Sequence, residues 1–168
     1  MTTRSQKITT YLWFDSNAEQ AVEHYLSLFP DSRVTKVSRW GKGGPGIEGS
    51  VMNIAFELHG QAFIALNGGP HHKFTPAISL LVSCDTQAEV DALWSRMLAA
   101  GGKAVACGWL EDRFGLSWQI IPTALIDLMS DPDPVKSGRV AQALMGMQKI
   151  DIAALTRAHA GQTIGDKS

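Results

Sequence analysis

Asp85-Thr86-Gln87-Ala88-Glu89-Val90-Asp91-Ala92-Leu93-Trp94-Ser95-Arg96-Met97-Leu98 is the stretch on which the reading of this chain turns. Val90, Leu93, Trp94, Met97 and Leu98 recur at three- and four-residue intervals, which places them on one face of a helix. Thr86 followed three residues later by Glu89 is a capping box that marks where the helix starts. Gly101-Gly102 marks where it ends. The same apolar stripe occurs once before: Val22, Tyr25, Leu26 and Phe29 stand 68 positions ahead of Val90, Leu93, Trp94 and Met97. Asp15 stands 70 positions ahead of Asp85, so only the linker into the helix differs, by two residues. A repeat of this length is one supersecondary unit used twice.

Strand signals flank both copies. Ile8 to Phe14 is rich in β-branched and aromatic residues, and Asp15-Ser16-Asn17 closes it, with Asn17 placed to cap the first helix. Pro30 stops that helix. Arg33 to Trp40 reads as a second strand, followed by the flexible loop Gly41-Lys42-Gly43-Gly44-Pro45-Gly46. Val51 to Leu58 alternates, with Met52, Ile54, Phe56 and Leu58 on one face and Asn53 and Glu57 on the other. His59-Gly60 then turns the chain into Gln61 to Asn67. That register sets Phe56 opposite Phe63 and Ile54 opposite Ala65, and Asn67 continues their face. In the second copy the strands are Ala77 to Cys84, Lys103 to Cys107, Trp109 to Asp112 and Leu116 to Ile121.

The expected fold is therefore α+β, two paired βαβββ modules at about residues 7–67 and 77–122. Each module buries one sheet face under its helix. The opposite face needs another cover: the other copy, a partner chain or a ligand. From Thr123 to about residue 160 the pattern is helical. Asp131-Pro132-Asp133-Pro134 separates Thr123–Ser130 from a stretch with Val140, Leu144 and Met147 on one face, and Asp151 is placed to cap a last helix. The chain is expected to fray from Gly161 to Ser168.

Bulk properties narrow the partners. Fifteen basic and sixteen acidic residues nearly cancel, and no basic run exceeds two residues, which argues against nucleic acid because phosphate neutralisation needs clustered cations. No run approaches the roughly 20 apolar residues of a membrane span. The first seven residues carry no apolar signal segment, and the two cysteines, Cys84 and Cys107, are too few for a disulfide framework. A cytoplasmic protein with free thiols is expected.

The chemistry concentrates in Cys107-Gly108-Trp109-Leu110-Glu111-Asp112-Arg113-Phe114-Gly115-Leu116-Ser117-Trp118-Gln119. Together with Tyr11-Leu12-Trp13-Phe14-Asp15, Leu66-Asn67-Gly68-Gly69-Pro70 and Ser83-Cys84-Asp85, it resembles the PhnB-like branch of the vicinal oxygen chelate superfamily. That superfamily includes glyoxalase I, bleomycin-resistance proteins, fosfomycin-resistance enzymes and extradiol dioxygenases. The resemblance covers about residues 7 to 160, tail included. It implies paired βαβββ modules, usually in a homodimer, with cavities enclosed by curved sheets.

Members of this branch are often labelled demethylubiquinone methyltransferases. The residues give that label no support, because the first strand is followed by Asp15-Ser16-Asn17-Ala18 and not by a glycine-rich turn. The superfamily's enzymes hold a divalent ion on four strands. Carried over one by one, those positions fall on Thr9 (or Thr10), Ala65, Ser79 and Gln119. Two hydroxyls, a methyl and an amide do not make a tight transition-metal site. His71-His72 is the one histidine pair, and neighbouring loop residues point apart.

The ligand-pocket candidates are Tyr11, Trp13, Phe56, Phe63, Asn67, Ser79 and Gln119. Each has a plainer reading. Aromatics fill cores, Asn67 can close the Gly68-Gly69 turn, and Trp118 packs under a helix if Gln119 faces the cavity. Asp112 and Arg113 can fix a tight turn, and both cysteines can be buried apolar groups with no histidine to activate them. No catalytic residue, metal or cofactor is assigned. The leading expectation is a small-molecule binding protein without metal, taking an aromatic or amphipathic compound. The alternatives are a metal-assisted or metal-independent isomerase or lyase, and a dimeric partner-binding module.

Overall fold

The computed structural model describes residues 6–162. Of the stretch expected to fray, residues 163–168 lie outside the described residues. Gly161 and Gln162 are held by backbone bonds to Ala158 and Arg157.

Two compact units divide the chain, one ending at Phe74 and one starting at Thr75. The first runs β1 (Thr10–Phe14), α1 (Ala18–Leu28), β2 (Ser32–Arg39), β3 (Val51–Leu58) and β4 (Gln61–Asn67). Its sheet has the order β1-β4-β3-β2, with β1 parallel to β4 and the other pairs antiparallel. The second unit repeats this with β5 (Ser79–Cys84), α2 (Gln87–Ala99), β6 (Lys103–Ala104), β7 (Trp109–Glu111) and β8 (Ser117–Pro122). Its order is β5-β8-β7-β6, again with one parallel pair, β5 with β8. The repeated helical stripe thus reports a repeated topology.

Period-two alternation sorts each sheet into two faces. In the first unit Leu12, Phe14, Ile54, Phe56, Leu58, Phe63 and Ala65 are buried, as are Val22 and Tyr25 of α1. Phe56 stacks on Phe63 at 5.4 Å and on Tyr25 at 6.5 Å. The Phe56–Phe63 register is the expected one, but that face packs under α1. Phe56 and Phe63, at 0% and 4% exposure, are packed in the core on the α1 side of the sheet. Truncating such a ring costs about 3–5 kcal/mol.

Asn67 lies on the same face and explains a second difference. Asn17 stands at the start of α1 but makes no side-chain cap. The cap comes from Asn67, whose Oδ1 accepts the Ala18 N–H at 2.9 Å while its Nδ2 donates to Glu19 and to the Val51 carbonyl. In the second unit the cap is local, as the sequence implies: Thr86 accepts the Glu89 N–H, and Glu89 reaches back to the Asp85 N–H.

Three tail helices complete the second unit: α3 (Thr123–Met129), α4 (Pro134–Met145) and α5 (Ile152–Ala160). Asp133 and Asp151 cap α4 and α5. Leu125, Val140, Ile150 and Leu155 gather around Ile121 at the end of β8. The tail is tied down by backbone: Cys107 and Gly108 donate to the carbonyls of Met147 and Gln148, both at 2.7 Å. Gln87 adds a two-pronged tie, donating to the Ile150 carbonyl and accepting the Ile152 N–H. Gly108 permits this approach, since a Cβ there would stand 2.7 Å from Ile150 Cδ1.

Candidate functional site

The open face of the first sheet, away from α1, carries Tyr11, Trp13, Ile64 and Leu66. Tyr11 is 52% exposed. At one end of this face a cleft of about 480 Å³ is lined by Trp13, Trp40, Pro45, Gly46, Leu66, Asn67, Gly68, Gly69 and His71. Trp13 is fixed there by its own indole N–H, which donates to the Gly69 carbonyl at 2.9 Å. The His72 ring meets Trp13 edge-on at 4.8 Å. Gly68 lies flat against the same indole, and a Cβ at that position would stand 2.4 Å from its ring atoms. Trp40 leans on Gly46 in the same manner. The glycine-rich loop thus seats an aromatic ring, and among the described residues no aspartate, glutamate, lysine or arginine lines the cleft.

On the second sheet's open face Ser79, Leu81, Trp109 and Gln119 are neighbours, because Leu81 and Trp109 both pair with Gln119. Gln119 donates to Ser79 Oγ at 2.8 Å. The opposite parity puts Trp118 under α2, 1% exposed. Its indole N–H donates to Asp112 Oδ2 at 2.9 Å. Asp112, itself 3% exposed, also accepts the backbone N–H groups of Phe114 and Leu116. The Asp112-Arg113 pair is therefore a turn device. The Arg113 guanidinium lies over the Phe114 ring.

The seven sequence candidates are divided between the two units, five in the first and Ser79 and Gln119 in the second. Trp13 lines the cleft, with Tyr11 on the same sheet face. Asn67 touches the cleft while its amide is committed to α1. Phe56 and Phe63 are in the core. Ser79 and Gln119 bind each other on the second sheet. Trp40, Leu66 and His71 also line the cleft and were not among the candidates. The packing of Trp40 against the glycine loop had a legible signal in Trp40-Gly41 through Gly46. His71 had none beyond its neighbours.

The donor set for a divalent ion does not fit. Ala65 is fully buried under α1, and its open-face neighbours Ile64 and Leu66 are hydrocarbon. Ser79 and Gln119 are neutral and already satisfy one another. Among the described residues no three His, Cys, Asp or Glu side chains gather closely enough to hold a metal. Neither cysteine replaces them. Burial, with smaller contributions from Glu89 and Asp85, pushes the Cys84 thiol up to about 11, and Cys107 Sγ faces the Leu144 carbonyl at 3.5 Å. No helix of the described residues is long and apolar enough to cross a membrane.

Comparison with known proteins fits this geometry. The sequence profile of the family described as 3-demethylubiquinone-9 3-methyltransferase matches residues 6–121. A solved Bacillus cereus protein, described as a putative 3-demethylubiquinone-9 3-methyltransferase, PhnB protein, is 38% identical, with a TM-score of 0.63. The match spans 70% of this chain and 100% of that one. Protein PA1353 from Pseudomonas aeruginosa is 20% identical with a TM-score of 0.58, over 70% of this chain and 98% of its own. The fosfomycin resistance protein FosX from Listeria monocytogenes, solved with Mn(II) and sulfate, is 13% identical with a TM-score of 0.46, over 69% and 88%. No curated protein matches. The expectation that the resemblance includes the tail is corrected: the family match stops at 121, before α3 begins. With its two βαβββ units, the chain belongs to the family described as 3-demethylubiquinone-9 3-methyltransferase, which it shares with the PhnB protein of Bacillus cereus.

Proposed function

We propose that this protein binds a planar, uncharged aromatic compound and does so without a metal ion. The observation that carries the reading is the cleft on the first unit, where Trp13 and Trp40 stand beside a glycine floor and no carboxylate or ammonium lines the wall. Such a site offers ring faces and backbone carbonyls. It suits stacking and a few hydrogen bonds to the ligand's rim. His71 is the one ionisable group present.

Methyl transfer is a poorer reading. A Rossmann-type methyltransferase seats its nucleoside on a glycine-rich strand–helix turn and a free helix N-terminus in a parallel sheet. Here the turn is Asp15-Ser16-Asn17, the first N–H of α1 is taken by Asn67, and the sheet is mixed. Metal-assisted isomerase or lyase chemistry is weakened by the donor set described above. Exposed apolar groups on the open faces, Tyr11 and Leu81 at 52% and 51%, support a homodimer as the assembled form, and a cytoplasmic location agrees with the free thiols.

The test is a thermal-shift and tryptophan-fluorescence screen of the full chain against planar aromatic compounds. Hits are repeated with Trp40→Leu and Trp13→Leu variants. At a ligand concentration 100 times Kd, binding adds about 2.7 kcal/mol of stability. The expected result is at least a tenfold loss of affinity in Trp40→Leu with its fold intact. Unaltered binding in both variants refutes the reading. So does turnover of a hit when Mn²⁺, Ni²⁺ or Zn²⁺ is added.

A further inference from the structure

We propose a second binding site, in the tail, for an amphipathic carboxylate. A groove of about 630 Å³ lies between α4 and α5, within the size range of small-molecule sites. Arg139, midway along α4, donates to the carbonyls of Ala158 and His159 at the end of α5, while only residues 146–151 join the end of α4 to the start of α5. The two helices therefore run in opposite directions, and the groove has two distinct ends. One end holds Arg139, Gly161 and Gln162; the other holds Gly146, Met147 and Ala154. Between them stand Gln142 and Ala143 of α4 and Arg157 and Ala158 of α5.

Three observations define the occupant. First, no acidic residue lines the groove, and neither arginine has a carboxylate partner among the described residues. Arg139 spends Nε and one Nη2 hydrogen on the α5 carbonyls; three of its five donors remain. Arg157 sits in the last turn of α5. Second, Gly161 adds no side chain beside the Arg139 guanidinium, where a Cβ would come into contact with Cζ at 3.4 Å. Third, Ala143, Met147 and Ala154, beside Gln142, line the groove from the arginines toward Gly146, seven residues beyond Arg139 and about 10 Å away at 1.5 Å per residue. Guanidinium groups bind carboxylates through paired, charge-assisted hydrogen bonds. A carboxylate carrying a short hydrocarbon or aryl body fills both parts. A third helix fits less well, because so short a path offers only about two turns of contact. The site lies beyond residue 121, where the family match ends, and it is independent of the cleft beside Trp13.

The test titrates the full chain with dansylglycine and with its methyl ester, following dansyl emission. The carboxylate is expected to bind at least tenfold more tightly than the ester. Arg157→Gln is expected to lose at least tenfold for the carboxylate and nothing for the ester. Ala154→Leu, which fills the apolar end, is expected to weaken both. Trp40→Leu leaves all of this unchanged, so failure here is separable from failure of the cleft. Equal binding of acid and ester, or unchanged binding in both groove variants when circular dichroism shows them folded, overturns the proposal. A change in sedimentation mass on adding the acid overturns it too, because a second copy would then be the groove's occupant.

Discussion

Asp112 organises the turn between β7 and β8 through three hydrogen bonds, and replacing it tests the whole account of that turn. Oδ1 receives the N–H groups of Phe114 and Leu116 at 2.8 and 3.0 Å, and Oδ2 receives the Trp118 indole at 2.9 Å. Hydrogen bonds to a charged acceptor contribute about 1.5–3 kcal/mol each, and a buried donor left unsatisfied costs about 1–3 kcal/mol. The three bonds share one carboxylate and do not add fully. Asp112→Ala is therefore expected to destabilise the protein by about 4 kcal/mol. At about 2–4 °C per kcal/mol for a chain of this size, the midpoint falls by about 8–16 °C. Asp112→Asn separates the parts. Its amide oxygen can keep the two backbone donors, but its NH₂ then opposes the indole N–H, for a loss of about 2 kcal/mol. Adding Trp118→Phe to Asp112→Asn removes that opposition, so the two changes should be coupled by about 1–2 kcal/mol. Urea unfolding followed by far-ultraviolet circular dichroism measures the wild type, Asp112→Ala, Asp112→Asn, Trp118→Phe and the double variant. A loss under about 1 kcal/mol for Asp112→Ala, or additivity within about 0.5 kcal/mol, refutes the reasoning.

Gly68→Ala drives a Cβ to 2.4 Å from the Trp13 ring; the indole must tilt, and both a red shift in tryptophan emission and the loss of any cleft ligand are expected. The Asp133 N–H, and next the His159 ring, hold the Asp131 carboxyl below its ordinary 3.8. A depressed folded value stabilises above 3.8 and fades as pH falls through the folded value, so tail stability should drop in acid below that point. In Asp131→Asn, thermal midpoints recorded against pH should lose this component. Cys84 has the opposite sign. Its thiol is pushed from 9.0 up to about 11, so its contribution is intact below pH 9 and is lost between pH 9 and 11. At pH 8 it should resist a disulfide reagent until urea unfolds the protein, and rapid labelling of the native form would contradict its burial.

Much of the fold was legible because it is written in local periods. The 68-residue echo between the two helical stripes required two like units, and Val51–Leu58 with Gln61–Asn67 matched the observed strands. The site was less legible because facing depends on which side the helix takes. Phe56, Phe63 and Asn67 share a face, as alternation says, but alternation does not say whether that face meets α1 or solvent. Asn67 shows the same limit from the other side. Its cap on Ala18 spans 49 residues, and nothing near Asn17 announces that a distant amide takes its place. Gln119 and Trp118 were separable because the register of one strand fixes their opposition. The cleft wall at Trp40 comes from a loop folding back on a ring, which no period encodes.

The junction between tail and sheet has a bearing on how relatives are to be recognised. Cys107 and Gly108 meet Met147 and Gln148 through main-chain hydrogen bonds, so position 147 needs only an apolar side chain to pack on the tail core and position 148 is not tied by its side chain to this join. Homologous extensions are therefore free to drift until pairwise identity no longer finds them. Their durable trace would be spacing: a small residue at position 108, a side-chain amide opening the second helix, and some forty residues from there to the carbonyls that dock.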